Sequence, residues 1–336
     1  MTMHATPPVL TIPGATPELT ARLQDGLVRV DDLLREVVDH DDPFIAQASG
    51  HLAAAGGKRF RPLLTLLAAE LTDGINDDVV RAATGVELTH LASLYHDDVM
   101  DEADVRRGVP SANIAYDNST AILIGDLLFG KASELIAGLG AEAVLIQAQT
   151  FVRLCAGQIR DDRGCPEGVD PVDYYLDVLA DKTGVLIATA GRYGAMFSGG
   201  SAETVEIMRS YGEKVGIAFQ LADDLIDIAS QADETGKTPG TDLREGVDTL
   251  AILRAKASTD PGDARLLELL AADLTHDDAG VTEALALLRA HPALEQAREE
   301  TYAVARAAQE LLDPLPDSPA KSALQALAMS VVDRVG

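Results

Sequence analysis

An all-α fold is what this sequence predicts, and three observations carry the prediction. Apolar residues recur at three- and four-residue steps through segment after segment. Alternating patterns bounded by turn dipeptides are nearly absent, and aromatic residues make up only 4% of the chain, which leaves little support for strands. Ala and Leu, both strong helix formers, are abundant.

The elements follow in order. A helical pattern covers Leu19–Val38. The glycine pair 56–57 then breaks the chain, and GGKRFRP (56–62) reads as a tight turn leading into a helix. The longest uninterrupted segment runs from Asn76 to Asp101, its periodic part being Val79–Met100, with Asn76, Asp77 and Asp78 offering N-cap chemistry. At 1.5 Å per residue it is roughly 38 Å long, and a helix of that length needs others around it. A break at Arg107–Pro110 precedes the patterns Thr120–Leu139 and Ala141–Ile159. Gly164–Pro171 breaks the chain again, Lys182-Thr183-Gly184 interrupts its middle, and Gly199–Gly200 precedes Thr204–Ile228. Later breaks at Ala232–Thr241, Thr259–Gly262, His276–Gly280 and Asp313–Ser318 are short connectors of the kind that join antiparallel helices. A length of 336 residues allows one large domain or two ordinary ones. With no long linker, the expectation is a flexible tail over residues 1–16 and one all-helical domain over residues 17–336.

Composition narrows the function classes. Apolar residues at 47% and charged residues at 24% exclude wholesale disorder. Lys and Arg number 27 against 54 Asp and Glu, so the net charge is 27 − 54 = −27, which disfavours nucleic-acid backbones and anionic membranes as partners. Cys155 and Cys165 form no CxxC pair and no disulfide framework, and read as buried or idle thiols in a reducing cytosol. No run approaches the ~18 apolar residues of a membrane span. The first residues lack a basic segment followed by an apolar one, so no signal peptide and a cytoplasmic location are expected.

Two segments echo each other: HDDVMDEA (96–103) and ADDLIDIA (222–229), each ending an apolar helical run. On a helix Asp97 and Asp101 lie about 40° apart in projection, with Asp98 at the shoulder. Three such carboxylates repel one another near a helix C-terminus, where the macrodipole already favours cations. A single cluster of this kind reads equally as a solvated acidic helix end. Its recurrence as Asp223, Asp224 and Asp227 favours a cation site, and oxygen donors so arranged suit Mg²⁺, which keeps waters and shares its shell with substrate phosphates. No HExxH, cysteine cluster, EF-hand order or GxxxxGK[ST] is present, so zinc hydrolysis, calcium loops and P-loop chemistry drop out.

The few cations gather beside these acids. Lys58, Arg59 and Arg61 occupy the glycine turn, and Arg106 and Arg107 follow the first triplet by one loop. Lys182 precedes Thr183-Gly184, and Lys237 follows the second triplet. An acidic protein that places its basic residues there is suited to hold diphosphate, which Arg forks and metals neutralise together.

The ordered set GGKRFRP, LYHDDVMDEADVRRG, KTG, FQLADDLIDIAS and TGKTPGTDLREG, spanning residues 56–246, resembles the trans-isoprenyl diphosphate synthases. The resemblance implies long antiparallel helices around a central cavity, a homodimer, and Mg²⁺-dependent condensation of isopentenyl diphosphate with an allylic diphosphate. It implies that Asp97, Asp98, Asp101, Asp223, Asp224 and Asp227 bind the metals and, through them, the allylic diphosphate. Arg106, Lys182 and Lys237 would touch that diphosphate, and Thr183 and Gln220 would line the reacting region. Lys58, Arg61, His90 and Arg107 would hold isopentenyl diphosphate; alone, His90 reads as a structural hydrogen bonder on the face of Asp97. Many relatives carry a further Lys where this chain has Val247.

Ala92 and Ser93, one turn before Asp97, resemble the small residues of long-chain synthases, with Gly85 expected to leave further space. A run of roughly 28 Å back to Asp78 accommodates at least about C30, and the resemblance points to about C40–C50. The competing reading is that Ala92 and Ser93 are small to let a neighbouring helix pack closely. A shorter-chain synthase of about C15–C20, a terpene cyclase and an inactive subunit of a heteromeric synthase are the alternatives; a quinone side chain is a destination by family analogy.

Overall fold

The computed structural model describes residues 12–229 and 239–335. The fold is all-α: among the described residues the only strands are the ribbon Val105–Arg106 with Val109–Pro110. That ribbon occupies the break expected at Arg107–Pro110. The five periodic segments emerge as helices Pro17–Val38, Asp77–Met100, Asn118–Ala137, Ala141–Arg163 and Ala202–Ala229. Helices Pro43–Ala54 and Phe60–Ala69 join them early in the chain. Two compact units result, and two of the boundaries between them fall within the last two of the five long helices.

The first unit comprises the described residues up to Val152, together with Leu186–Gly212 and Pro314–Leu324. Its helices start on side-chain caps. Thr16 accepts from the Leu19 amide (3.3 Å), Asp42 from Phe44 (2.8 Å), and Asn76 from Val79 (2.9 Å), each satisfying an N–H that has no partner within the helix. Pro62 stands third in its helix, where no intrahelical N–H bond is lost. Helix Asp77–Met100 runs through the middle of this unit, packed along Asn118–Ala137, Phe60–Ala69 and Pro17–Val38. Leu34, Leu52, Leu88, Leu91, Tyr95 and Leu128 form the core around it. The Tyr95 hydroxyl, buried in that core, donates to the Ala48 carbonyl at 2.5 Å. Helix Val185–Phe197 comes so close to Phe60–Ala69 that a Cβ at Gly194 would run into the Thr65 carbonyl oxygen.

The second unit comprises Arg153–Val185, Glu213–Asp313 and the described residues from Gln325 onward. Lys182-Thr183-Gly184 does not interrupt the chain as expected. Helix Pro171–Leu179, capped by Asp170, continues through a π-helical turn, Ala180–Gly184, into helix Val185–Phe197. Glycine explains how the widened turn is seated. A Cβ at Gly157 would lie 2.6 Å from the Lys182 nitrogen, so only glycine lets the two backbones approach there. Beyond it, Leu250–Lys256 packs on Pro292–Glu310, where the Arg254 fork grips Glu300 at 3.0 and 2.9 Å. No described helix is long and apolar enough to cross a membrane. Cys155 and Cys165 are unpaired and exposed, which removes the expectation of burial.

Candidate active site

The first acid triplet sits on the last turn of helix Asp77–Met100, with Asp101 as its C-cap. The three carboxylates have separate surroundings. Asp98 is wholly buried; it accepts from Arg106 Nε at 2.6 Å and from the Ala112 amide at 2.9 Å. Its backbone carbonyl also receives the Ala103 amide at 3.1 Å, so Asp98 folds the following loop onto the helix end. Asp101 is mostly exposed, and the second Arg106 nitrogen lies 3.5 Å from it. Asp97 is half-buried one turn before Asp101.

Beneath Asp97 the cations gather around a residue that no sequence motif singles out, Glu87. This carboxylate is 2% exposed and takes Arg59 at 2.9 Å, with Arg107 at 4.0 Å. Arg59, in the left-handed region at φ 49°, also grips Asp31 at 2.8 Å and the Ala53 carbonyl at 3.2 Å. Arg107 donates to the carbonyls of Leu52 (3.0 Å) and Gly56, and its guanidinium lies against the Cα of Gly57, where a Cβ would come within 2.9 Å. Gly57, at φ 144°, thus makes room for Arg107, which ties the glycine turn down. Lys58 is exposed on that turn.

Arg61 differs from both. Its Nε is buried with no hydrogen-bond partner among the described residues. Burial pushes its pKa down to about 10, against Glu87, with Arg107 adding to the fall; it remains charged at neutral pH. Burial and then the charges of Arg61, Arg107, Arg106 and Arg59 hold the His90 imidazole well below its ordinary value, so it is neutral. One carboxylate, Glu87, thus serves several cations, and Arg61 keeps an unmet donor. A buried orphan donor costs on the order of 1–3 kcal/mol, and an anion placed against it recovers that cost. The signal for Glu87 was available: a lone acid inside the apolar run Gly85–Leu88.

Of the expected chain-length residues, Ala92 is fully buried in the core cluster with Leu128 and Ala132 of the neighbouring helix. Ser93 is half-buried, its hydroxyl donating to the His90 carbonyl at 2.9 Å. Gly85 leaves no free space, because Ile136 fills it: an ideal Cβ would lie 2.6 Å from Ile136 Cδ1.

In the second unit each acid of the other triplet has its own partner as well. Asp223 pairs with Arg334 at 3.0 Å, whose guanidinium stacks 4.7 Å over the Phe219 ring. Asp224 accepts from the Tyr175 hydroxyl and from Gln220 Nε2 at 3.0 Å. Burial raises its pKa to about 6, opposed by those two hydrogen bonds and helped by Asp223 and Asp227. Asp227 accepts the Thr241 and Asp242 amides, each at 3.1 Å, and so starts the short helix Thr241–Glu245. The Thr183 hydroxyl, on the π-turn, donates to Gln220 Oε1 at 3.4 Å, so Thr183, Gln220 and Asp224 form one chain. Lys182 pairs with Asp161 at 2.7 Å. Lys237 lies outside the described residues.

Among the described residues no three His, Cys, Asp or Glu side chains converge into a preformed metal cage. In the first unit Asp101 is mostly exposed and Asp97 half-buried, and in the second Asp223 is 40% exposed; all are hard oxygen ligands. In either unit such donors fit an ion that takes one or two carboxylates and completes its shell with water and substrate phosphate.

Comparison with known proteins bears on the same residues. The sequence profile described as "Polyprenyl synthetase" matches residues 42–288. A nonaprenyl diphosphate synthase of Mycobacterium tuberculosis is 49% identical over 317 residues, 94% of each chain. The crystal structure of a geranylgeranyl pyrophosphate synthase from Corynebacterium glutamicum, complexed with calcium and isoprenyl diphosphate, is 45% identical, with TM-score 0.87 over 97% of this chain and 100% of that one. A decaprenyl diphosphate synthase from Rhodobacter capsulatus is 34% identical, with TM-score 0.87 over 95% of this chain and 99% of that one.

Proposed function

The chain belongs to the polyprenyl synthetase family and is a prenyltransferase, and from that premise we propose that it joins isopentenyl diphosphate head-to-tail to an allylic diphosphate, with Mg²⁺, to give an all-trans product of about C40–C50. The observation that carries the reading is the cationic cluster beneath Asp97, where Arg61 keeps a buried donor unmet beside neutral His90. It suits the diphosphate of isopentenyl diphosphate, bound by Arg61 and Arg107 forks, with Lys58 closing from the turn and His90 offering an uncharged ring N–H. A terpene cyclase has no use for this second diphosphate site.

Asp97 and Asp101 in the first unit, and Asp223, Asp224 and Asp227 in the second, would hold Mg²⁺. Asp98 acts through Arg106, which it aims toward the allylic diphosphate. When bound, the metal neutralises charge that develops on the departing diphosphate, the main source of rate acceleration in a site of this kind. The protein's own part is positional. Thr183, presented by the π-turn and tied to Gln220, borders the reacting carbons, and Lys182 moves from Asp161 to the leaving diphosphate. Buried apolar walls keep water from the allylic cation. The small Ser93 and the 49%-identical nonaprenyl relative support the long product.

A homodimer and a cytoplasmic setting belong to the same proposal. Leu123, Leu145 and Val152, on two consecutive helices, are 65%, 57% and 66% exposed, which supports self-association. The test is incubation of the purified chain with Mg²⁺, farnesyl diphosphate and labelled isopentenyl diphosphate, followed by chromatography. Elongation by the chain alone is the expected result; no elongated product rejects both the reading and the inference that the chain is an active subunit.

A further inference from the structure

Within the second unit, three stretches of backbone meet at one side chain of the π-turn, Asp181. The turn is unusual: the Val185 amide reaches back five residues to the Ala180 carbonyl, one more than in an α-helix. Such turns are rare and stand mostly singly inside α-helices, so contacts from outside must hold this one. On helix Ala141–Arg163, Arg153, Gly157 and Arg160 share one face, four and then three residues apart. Gly157 is the seat: a Cβ there would lie 2.6 Å from the Lys182 nitrogen and 3.0 Å from Asp181 Cβ. The two arginines flank it. Arg153 Nε donates to Asp181 Oδ1 at 2.7 Å and Arg160 Nη1 to Oδ2 at 3.0 Å, so each carboxylate oxygen has its own guanidinium.

The grip extends to a third element. Arg153 Nη2 donates to Glu213, on helix Ala202–Ala229, at 2.9 Å. A Cβ at Gly184, the last residue of the π-turn, would stand 3.2 Å from the Glu213 carbonyl oxygen, so turn and helix are in close contact there. Arg160 is itself fixed: its guanidinium lies 5.0 Å over the Tyr174 ring, whose hydroxyl donates to the Arg160 carbonyl at 2.7 Å. Asp181 is 19% exposed, which limits screening of these pairs by solvent. The two residues that follow it face different partners: Lys182 meets Asp161 at 2.7 Å, and Thr183 meets Gln220 at 3.4 Å. We propose that Asp181 is a positioning residue for the reaction. Clamped by Arg153 and Arg160, it locks the backbone of the π-turn, so that Thr183 stays against Gln220 while the Lys182 side chain leaves Asp161 for the diphosphate. The inference rests on the prenyltransferase reading and adds to it a residue that acts through Lys182 and Thr183.

Asp181→Asn tests it. The amide keeps the shape of the side chain but offers one acceptor oxygen to two guanidinium donors, and its nitrogen meets the other donor to donor. The full chain is given Mg²⁺, farnesyl diphosphate and labelled isopentenyl diphosphate, well below its Tm. The kcat of the variant is expected to fall by about ten- to a hundredfold, the effect of misplacing a reacting group by about an ångström. The KM for isopentenyl diphosphate, whose proposed holders Arg61 and Arg107 belong to the first unit, should stay within about twofold of wild type. In the metal-free, ligand-free chain, amide hydrogen exchange at residues 182–185 should quicken on the order of tenfold, while that of helix Leu250–Lys256 does not change. Arg153→Met is read in the same way if Asp181→Asn does not fold. Turnover at the wild-type rate overturns the proposal, and so does unchanged exchange at the turn. A rate loss that matches a loss of folded protein, with both Michaelis constants moving together, also overturns it, because Asp181 would then serve stability alone. In each of these cases the prenyltransferase reading stands; only a wild-type chain without any elongation rejects both.

Discussion

Asp98→Ala should unfold the first unit more readily even when no metal is present, whereas Asp101→Ala should not. Asp98 is completely buried, accepts a 2.6 Å bond from Arg106 and a 2.9 Å bond from the Ala112 amide, and has no access to water. Removing one member of a buried ion pair costs on the order of 3–5 kcal/mol. Arg106 is 28% exposed, so water compensates part of that loss. The orphaned Ala112 amide adds on the order of 1–3 kcal/mol. A net loss of about 3 kcal/mol follows, roughly 6–12 °C in Tm for a unit of this size. Asp101 is 57% exposed and its contact to Arg106 is 3.5 Å, so its removal costs less than about 1 kcal/mol.

The assay is urea and thermal unfolding of both variants in EDTA, followed by far-UV circular dichroism. Asp98→Asn is the control: the amide fills the same space and its one oxygen still accepts from Ala112, but its NH2 meets the Arg106 Nε–H donor to donor, so a loss of about 1–3 kcal/mol is expected. If Asp98→Ala and Asp101→Ala unfold within about 0.5 kcal/mol of each other, the inward role of Asp98 is refuted, and the triplet is a set of equivalent ligands.

Glu87→Gln should destabilise the chain by about 2–3 kcal/mol by leaving Arg59 under-compensated, and inorganic pyrophosphate should raise its Tm more than that of wild type; an equal rise would detach Glu87 from the anion site. The His90 imidazole should not titrate by NMR between about pH 6 and 8 in the ligand-free chain, because burial and four arginines depress its pKa. The linkage has a fixed sign: the unfolded chain takes the proton first, so this stability is present above about pH 6.5 and falls as pH drops below it. A normal titration would place His90 in solvent. Gly194→Ala should cost about 1–3 kcal/mol, since its Cβ meets the Thr65 carbonyl oxygen; an unchanged urea midpoint would show that the two helices can part without loss.

Legibility in the sequence follows the range of the interactions. Helix Asp77–Met100 is bounded to within a residue because its cap, Asn76, and its apolar periodicity are local. Helix Pro43–Ala54 escapes a reading by periodicity because its apolar residues fall on all sides and leave no stripe. The π-turn at Lys182 reads as an interruption because its seat is Gly157, on another helix. Gly85 reads as open space because nothing nearby in the sequence announces Ile136, which fills it. The cation-bearing motifs stand whole in the sequence, yet Glu87, the carboxylate they share, is one acid in an apolar run and carries no motif.

The acid triplets make the same point energetically. On sequence alone, three carboxylates on one helical turn repel, and a metal is the evident relief. The structure relieves four of them with partners of their own: Asp98 with Arg106, Asp223 with Arg334, Asp224 with Tyr175 and Gln220, Asp227 with two backbone amides. None of these partners lies within the five-residue motif it serves. Within each unit the inward contacts hold Arg106, Gln220 and the Thr241 turn in place. Mutations of the two kinds should therefore separate: loss of an outward acid should cost turnover with little change in stability, and loss of an inward one should cost both.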